Sequence, residues 1–282
     1  MMEQPIIALL QQATQQLTGV TSSPRLDAEV LLAHVLRVSR SYLYAFPEQM
    51  ISPLHQHNFL ILLKRRLQRE PIAYLIGSQE FWSLPLVVTS DTLIPRPETE
   101  LLVEWVLQNI IGTDKIVGDL GTGSGAIALA LAIEQPSWSI YATDKSVAAL
   151  EVAKLNAAHL QLKNISFHQG DWCDAFPQQK LFDVLVSNPP YLAEEDTHLP
   201  QTELAYEPLS ALVSGEEGLA DSYQIIRNAT AYLANRGYLV LEHGFQQGEK
   251  IRKCFVTQGY VNIATHNDLA GLGRMTLGQW KK

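Results

Sequence analysis

The sequence predicts an α/β protein: a parallel sheet covered on both faces by helices, with a small helical bundle before it. Three observations carry this. From Lys115 onward, short apolar runs alternate with segments of helical texture. Before about residue 76, the chain reads as helix throughout. Between the two, "EFWSLPLVVTSDTLIPRPETE" brings aromatics, β-branched residues and prolines. Strands that alternate with helices pair in parallel and are buried on both faces. The expected organisation is a helical domain over 1–76, a linker or β-hairpin over 77–95 and an α/β domain over 96–282.

The helical region shows its starts. In "SPRLDAEVLLAHVLRV", Leu26, Val30, Leu31, Ala33, Leu36 and Val38 fall near helical spacing. Ser23 stands as N-cap with Pro24 at the first helical position, and Ser52 with Pro53 repeats the signal. His55 and His57 are two apart, so they do not share a helix face. They are expected on the surface, and no metal site is expected. The run "KRRLQRE", Lys64 to Glu70, reads as a solvated helix face. A further helix begins at Pro97, with Glu98 and Glu100 in its first turn, where the macrodipole favours acids. That accounts for "RPETE" structurally. It leaves open whether Arg96, Glu98 or Glu207 touches a ligand.

The α/β region follows in order. Strand "KIVGDL" leads through "GTGSG" into helix "AIALALAIEQ". Strand "WSIYATD" precedes a helix from Ser146 to His159, then come strands "NISFHQGDW" and "FDVLVS". A helix from Ser222 to Leu233 leads to "GYLVLEHG", and "YVNIATH" and "GRMTLGQW" are the last strands.

Bulk properties narrow the function. The chain has 282 residues, of which 46% are hydrophobic, ample for a packed core. Its net charge is −8, and its basic residues are scattered, whereas a protein that grips phosphates shows a basic face. No apolar run reaches the roughly 18 residues of a membrane span. The start, "MMEQPIIALLQQATQQL", lacks a basic n-region and a cleavage site, so no signal peptide is expected. Cys173 and Cys254 form neither a disulfide framework nor a metal cluster, which fits ordinary thiols in a reducing cytoplasm.

Two loops carry the chemistry. "DLGTGSGA" follows a strand and opens a helix, and Gly121, Gly123 and Gly125 suit a backbone that turns tightly close to a ligand. By itself this loop is a weak signal, because nicotinamide enzymes carry similar loops and a tight strand-to-helix turn would also account for it. Asp144 ends the second strand, where an acid accepts from ribose hydroxyls or caps the next helix. Asp171 and Trp172 end the third, where an acid and an aromatic can hold an adenine, although Trp172 alone reads as a core residue. Three consecutive strand ends of this kind point to an adenosine-containing cofactor.

The fourth strand ends in Asn188-Pro189-Pro190-Tyr191. Proline cannot donate to a sheet ladder, so the strand must stop. Two prolines with φ held at about −65° also make the loop stiff, which lets a carbonyl be aimed. The side-chain oxygen of Asn188 and the carbonyl of Pro189 are two acceptors, suited to the two donors of a planar NH2 group, and Tyr191 can lie against the flat group beyond. An amide or aromatic NH2 is a poor nucleophile, because its lone pair is delocalised. It needs orientation and a good electrophile, such as the sulfonium methyl of S-adenosylmethionine. No pairing makes His243, in "LEHG", a base, and it reads as structural.

"NPPY" resembles the motif of amino-methyltransferases. With "SPRLDAEVLLAHVL", "REPIAYLIGSQEFWSLPLVVTSDTLIPRPETELLVEWV", "DLGTGSGAIALALA", "YEPLSALVSGEEGLA" and "GYLVLEHGFQQGE", the whole chain resembles the release-factor glutamine methyltransferase family, PrmC/HemK. The resemblance implies a Rossmann-like, seven-stranded class I methyltransferase domain, its last strand antiparallel, behind a small N-terminal helical bundle. It implies methyl transfer from S-adenosyl-L-methionine, leaving S-adenosyl-L-homocysteine, to the N5 amide nitrogen of the glutamine in the GGQ motif of class 1 peptide chain release factors. By position, Gly121, Thr122, Gly123, Ser124, Gly125, Asp144 and Trp172 would contact the cofactor. Asn188 would touch cofactor and substrate, Pro189, Pro190 and Tyr191 would frame the glutamine, and the bundle would help dock the release factor in the cytoplasm.

Two rival readings stand beside this. An amino-methyltransferase of adenine or guanine in nucleic acid would need a phosphate groove and a way to bring a base out of its stack. No recognition domain or basic arm is visible, and no direct nucleic-acid or membrane partner is expected. A non-catalytic module that binds translation factors would have no need of an intact NPPY and glycine loop.

Overall fold

The computed structural model describes residues 3–177, 180–195 and 202–282. These form two compact units, one of residues 3–78 and 202–206, the other of the remaining described residues.

The first unit contains β1 (Gln4–Pro5), α1 (Ile6–Leu17), α2 (Pro24–Leu36), α3 (Arg40–Ala45), β2 (Met50–Ile51), α4 (Pro53–Leu67) and α5 (Ile72–Ile76). Its core is mostly aliphatic, with Ile6, Leu10, Leu31, Leu32 and Leu63 buried around a single phenylalanine, Phe59. It is not helical throughout: β1 and β2 pair antiparallel over two residues each, too short for any periodicity to register. Ser23 and Ser52 are N-caps, as expected, but only Ser52 accepts a backbone N–H, that of His55. The Ser23 hydroxyl instead donates to Asp27 at 2.8 Å.

Two expectations for α2 and α4 need correction. Leu26 is exposed, while Asp27 and Glu29 are buried. In "KRRLQRE", Lys64, Arg65 and Arg69 are solvated, but Arg66 is buried and donates to Asp27 at 2.7 Å and Glu203 at 2.6 Å. Charge alone did not reveal that the pairing acid sits 39 residues upstream. His55 and His57 are both exposed.

Next comes the hairpin of β3 (Ser78–Phe81) and β4 (Leu84–Val87). Its two turn residues, Trp82 and Ser83, both have positive φ, the pattern of a tight primed turn. The α/β unit continues with α6 (Glu100–Asn109), β5 (Ile116–Leu120), α7 (Ala126–Glu134), β6 (Ser139–Asp144), α8 (Val147–His159), β7 (Ile165–Gln169) and β8 (Phe182–Ser187). Then follow the single turn α9 (Gly215–Gly218), α10 (Ala220–Ala229), β9 (Leu233–Glu242), α11 (Gly248–Thr257), β10 (Val261–Asn267) and β11 (Gly273–Gln279). The helix expected to reach Leu233 ends at Ala229, because Leu233 already pairs with Phe182 in the sheet.

Seven strands form the main sheet in the order β10-β11-β9-β8-β5-β6-β7. β9, β8, β5, β6 and β7 run parallel, and β11 is antiparallel to both β9 and β10. This is the expected Rossmann-like sheet with its last strand reversed. One apolar core lies on each face, around Leu129, Val184 and Val186 on one side and Leu185, Leu239 and Phe255 on the other. Among the described residues, no helix is long and apolar enough to cross a membrane.

Candidate active site

β5 pairs with β6 on one side and β8 on the other, so the strand order reverses beside it. Open α/β sheets bind ligands at such a point, outside the carboxyl ends of the strands. The loop after β5 is GTGSG and the loop after β8 is NPPY. Register sets them level: Leu120 pairs with Ser187, whose hydroxyl donates to the Leu120 carbonyl at 2.7 Å. A cavity of about 210 Å³ opens between the two loops.

The wall on the β5 side contains Gly121, Thr122, Gly123 and Ser124. A Cβ on Gly121 would lie 2.8 Å from the Trp172 ring, so only glycine lets the loop pass that ring. A Cβ on Gly123 would meet nothing within 4 Å, so the backbone is left open to whatever fills the cavity. Gly125 lies outside the lining, as N-cap of α7 against Leu129.

Asp144 and Trp172 also line the cavity. Asp144 ends β6 and accepts from Gly123 N–H at 2.9 Å and Ser146 N–H at 2.8 Å. It therefore fixes the turn into α8, whose N-cap is Ser146, and ties down the glycine loop, and its side chain retains lone pairs for a diol. β7 stops at Gln169, so Asp171 and Trp172 belong to the turn beyond the strand, not to its end. Trp172 adopts φ +46° and is 8% exposed, its body in the core and one edge on the cavity. A plain core aromatic and a cavity residue are here the same side chain.

On the opposite wall stand Asn188, Pro190 and Thr99, while Pro189 and Tyr191 lie outside the lining. The loop is held on both sides. Leu192 N–H donates to Leu212 O at 2.9 Å, and Gln247 Nε2 donates to Tyr191 O at 3.0 Å. Asn188 Nδ2 donates to Thr99 Oγ1 at 3.1 Å. Among the described residues, neither Asn188 Oδ1 nor the Pro189 carbonyl accepts a hydrogen bond. Burial pushes the Tyr191 phenol up to about 12, so it stays neutral.

Several residues that build the cavity's surroundings leave little signal in the sequence. Thr99 belongs to "RPETE", which does more than start a helix. Arg96 and Glu207 pair with each other, and Glu207 also accepts from Ile94 N–H at 3.0 Å, closing the segment over the cavity's edge. Asn156, buried on α8, donates to Val87 O and Ser124 O, both at 2.9 Å, and accepts from Val87 N–H at 2.7 Å. It thereby stitches the hairpin to the glycine loop. A polar residue in the midst of "AKLNAAHL" was its only signal.

Asp119 is buried beneath the loop and accepts from Thr122 Oγ1 at 2.6 Å and Ala128 N–H at 3.2 Å. Burial pushes its carboxyl up to about 7. His243 is buried, bonded to Gly244 O and Thr276 Oγ1, and held below its usual range by burial; it lines no part of the cavity. Among the described residues, no group of side chains could hold a metal ion.

This arrangement places a glycine-lined wall that ends in Asp144 beside a stiff loop with two acceptors that have no donor among the described residues, and the fold that carries it is that of a class I methyltransferase. Residues 81–258 match the family described as the methyltransferase small domain. A solved methyltransferase from Pyrococcus furiosus shares the fold, with TM-score 0.54 and 16% identity over 78% of this chain and 98% of that one. Residues 8–77 match the PrmC N-terminal domain. The release factor glutamine methyltransferase of Coxiella burnetii is 50% identical over 94% of this chain and 95% of its own. That of Aliivibrio fischeri is 47% identical over 98% and 97%. The chain belongs to the release factor glutamine methyltransferase family, the family its motifs resemble.

Proposed function

We propose that this protein transfers a methyl group from S-adenosyl-L-methionine to the N5 amide nitrogen of the glutamine in the GGQ motif of class 1 peptide chain release factors. The observation that carries the reading is the pair of acceptors, Asn188 Oδ1 and the Pro189 carbonyl, that have no donor among the described residues and stand on a loop level with the glycine loop. A primary amide has two N–H donors in one plane, and two fixed acceptors orient it.

The residues present fit the cofactor. Gly121 and Gly123 let the backbone approach, Asp144 offers acceptors to ribose hydroxyls, and Trp172 offers an apolar edge to a ring. When bound, S-adenosylmethionine supplies a methyl carbon open to in-line displacement. The protein's part is positional. Asn188 and Pro189 hold both N–H bonds of the glutamine amide, so its nitrogen lone pair is directed away from them. Holding the nitrogen favours its pyramidalisation as the N–C bond forms and the S–C bond breaks. The nitrogen then gives up one proton to solvent, and no side-chain nucleophile takes part. Pro190 and Tyr191 frame the amide.

Residues 1–76 act as a docking domain for the release factor, in keeping with helices that bring no catalytic group. A cytoplasmic site of action follows from that substrate. The test is methyl transfer from labelled cofactor to a purified release factor, to DNA and to ribosomal RNA in parallel. Label in the release factor alone is expected. Label in nucleic acid alone would overturn the reading, and binding of release factor without turnover would mark a non-catalytic module.

A further inference from the structure

Residues 95–100 border two cavities. Pro95 and Thr99 line the one already described, while Pro97, Glu98 and Glu100 line a second, of about 320 Å³. One wall of this second groove is the start of α6, and the other is the turn between β10 and β11, residues 267–270. Its lining is apolar at Trp82, Pro97, Leu101, Leu269 and Ala270.

The charge in the groove is of one sign. No lysine or arginine lines it, and Glu98, Glu100 and Glu104 have no salt-bridge partner among the described residues. The fourth acid, Asp268, is spent on its own turn. It pairs with Arg274 at 3.1 Å and accepts from the N–H groups of Ala270 and Leu272, both at 2.9 Å. Glu98 and Glu100 stand in first helical turns, where the macrodipole favours acids. Glu104 lies one turn further on, four residues after Glu100, where two like charges share a helix face and repel. Leu269 is fully exposed although its turn is held by those hydrogen bonds. Folding accounts for neither Glu104 nor Leu269.

An apolar groove with unpaired acids suits a cation on an aliphatic stem, which lays its carbons on apolar surface and keeps its head among opposite charges. The groove is also continuous with the proposed methylation site. Glu98 directly precedes Thr99, which accepts from Asn188 Nδ2 at 3.1 Å. An extended chain covers about 3.3–3.6 Å per residue and a looped one less. A chain with its glutamine at Asn188 therefore reaches the groove within about ten residues.

We infer that this groove docks a basic segment of the protein substrate, close in sequence to the methylated glutamine. An arginine or lysine of that segment lays its stem against Leu101 and Leu269 and its charge beside Glu98, Glu100 and Glu104. The inference rests on the reading of a release-factor glutamine as the methyl acceptor.

Steady-state methylation of an intact release factor at low and high salt tests it, with single-turnover rates, calorimetric cofactor affinity and sedimentation alongside. The double variant Glu98→Lys, Glu104→Lys is expected to lower kcat/KM about tenfold or more, through KM. Its single-turnover rate at saturating factor should stay within about threefold, and its S-adenosylmethionine affinity within about twofold. Wild-type kcat/KM should fall as salt rises, and that of the double variant should not. Leu269→Ser should lower kcat/KM about threefold at either salt concentration. Changing the factor's own arginines and lysines within about ten residues of the glutamine to glutamate should slow the wild-type protein and recover with the double variant. Unchanged KM and salt dependence in the double variant, beside a slow Asn188→Ala, would overturn the groove and leave the glutamine reading standing. Unchanged KM with altered sedimentation would give the groove to a second copy of this chain and overturn the inference equally. No methyl transfer to the factor by the wild-type protein would remove the reading and the inference together. Should the double variant fail to fold, Glu98→Gln and Glu104→Gln decide in its place, each expected to raise KM and weaken the salt dependence.

Discussion

Asn188 Nδ2 donates to Thr99 Oγ1 at 3.1 Å, across 89 residues of sequence. One donor of the amide is thereby occupied within the protein, and its oxygen has no donor among the described residues. Asn188→Ala is expected to lower single-turnover methyl transfer by about 10²–10³, the usual loss for a transition-state hydrogen-bonding group. Asn188→Asp should fail as well, because it loses the donor to Thr99 and adds a negative charge where a neutral amide oxygen is needed. Rates near wild type in both variants would mean that NPPY only ends a strand.

Asp144 lines the cavity and accepts from the N–H of Gly123 in the glycine loop. Asp144→Ala should weaken S-adenosylmethionine binding by about 1–3 kcal/mol, the cost of polar groups left without an acceptor. Gly123→Val should weaken it at least as much. Its φ of +57° strains any side chain, and the added atoms enter the open space beside the cavity. Calorimetry on the folded variants checks both; unchanged affinity in the two would remove this wall from the cofactor site.

Asn156 makes three hydrogen bonds to Val87 and Ser124. Asn156→Ala should cost about 1–3 kcal/mol, because buried backbone groups lose their partners. It should also weaken cofactor binding, since Ser124 belongs to the glycine loop. Denaturant unfolding with and without cofactor measures both effects, and unchanged stability would refute the stitching role.

Asp119 and Glu242 are both pushed up to about 7 by burial. Their folded-state values lie above the unfolded ones of 3.8 and 4.5, so the folded protein holds protons that the unfolded chain releases. The stabilisation this brings is complete below the unfolded values and is lost as pH rises through the folded ones. Melting temperature should therefore fall between about pH 5 and about pH 7, and Asp119→Asn and Glu242→Gln should each flatten that slope. A slope unchanged in both variants would contradict the assignment.

The sheet was legible because buried strands leave apolar runs and the helices between them leave periodicity. GTGSG, Asp144 and NPPY were legible because each sits at a strand end, where composition changes sharply. Thr99 and Asn156 were not. Each works through a partner on a distant segment, 89 residues away for Thr99 and 69 for Asn156, and local pattern carries no trace of such pairing. Arg66 was misread for the same reason: its acids lie 39 and 137 residues away. The two-residue strands β1 and β2 are simply too short to show a period of two.

The central claim is that the two acceptors of the NPPY loop hold a glutamine side chain for methylation. Peptide mass spectrometry of a class 1 release factor incubated with this protein and S-adenosylmethionine tests it most directly. One added methyl group, located on the side-chain amide of the GGQ glutamine and absent with Asn188→Ala, is the expected result. An unmodified glutamine after full incubation with folded, cofactor-bound protein, or a methyl group on another residue, would contradict it.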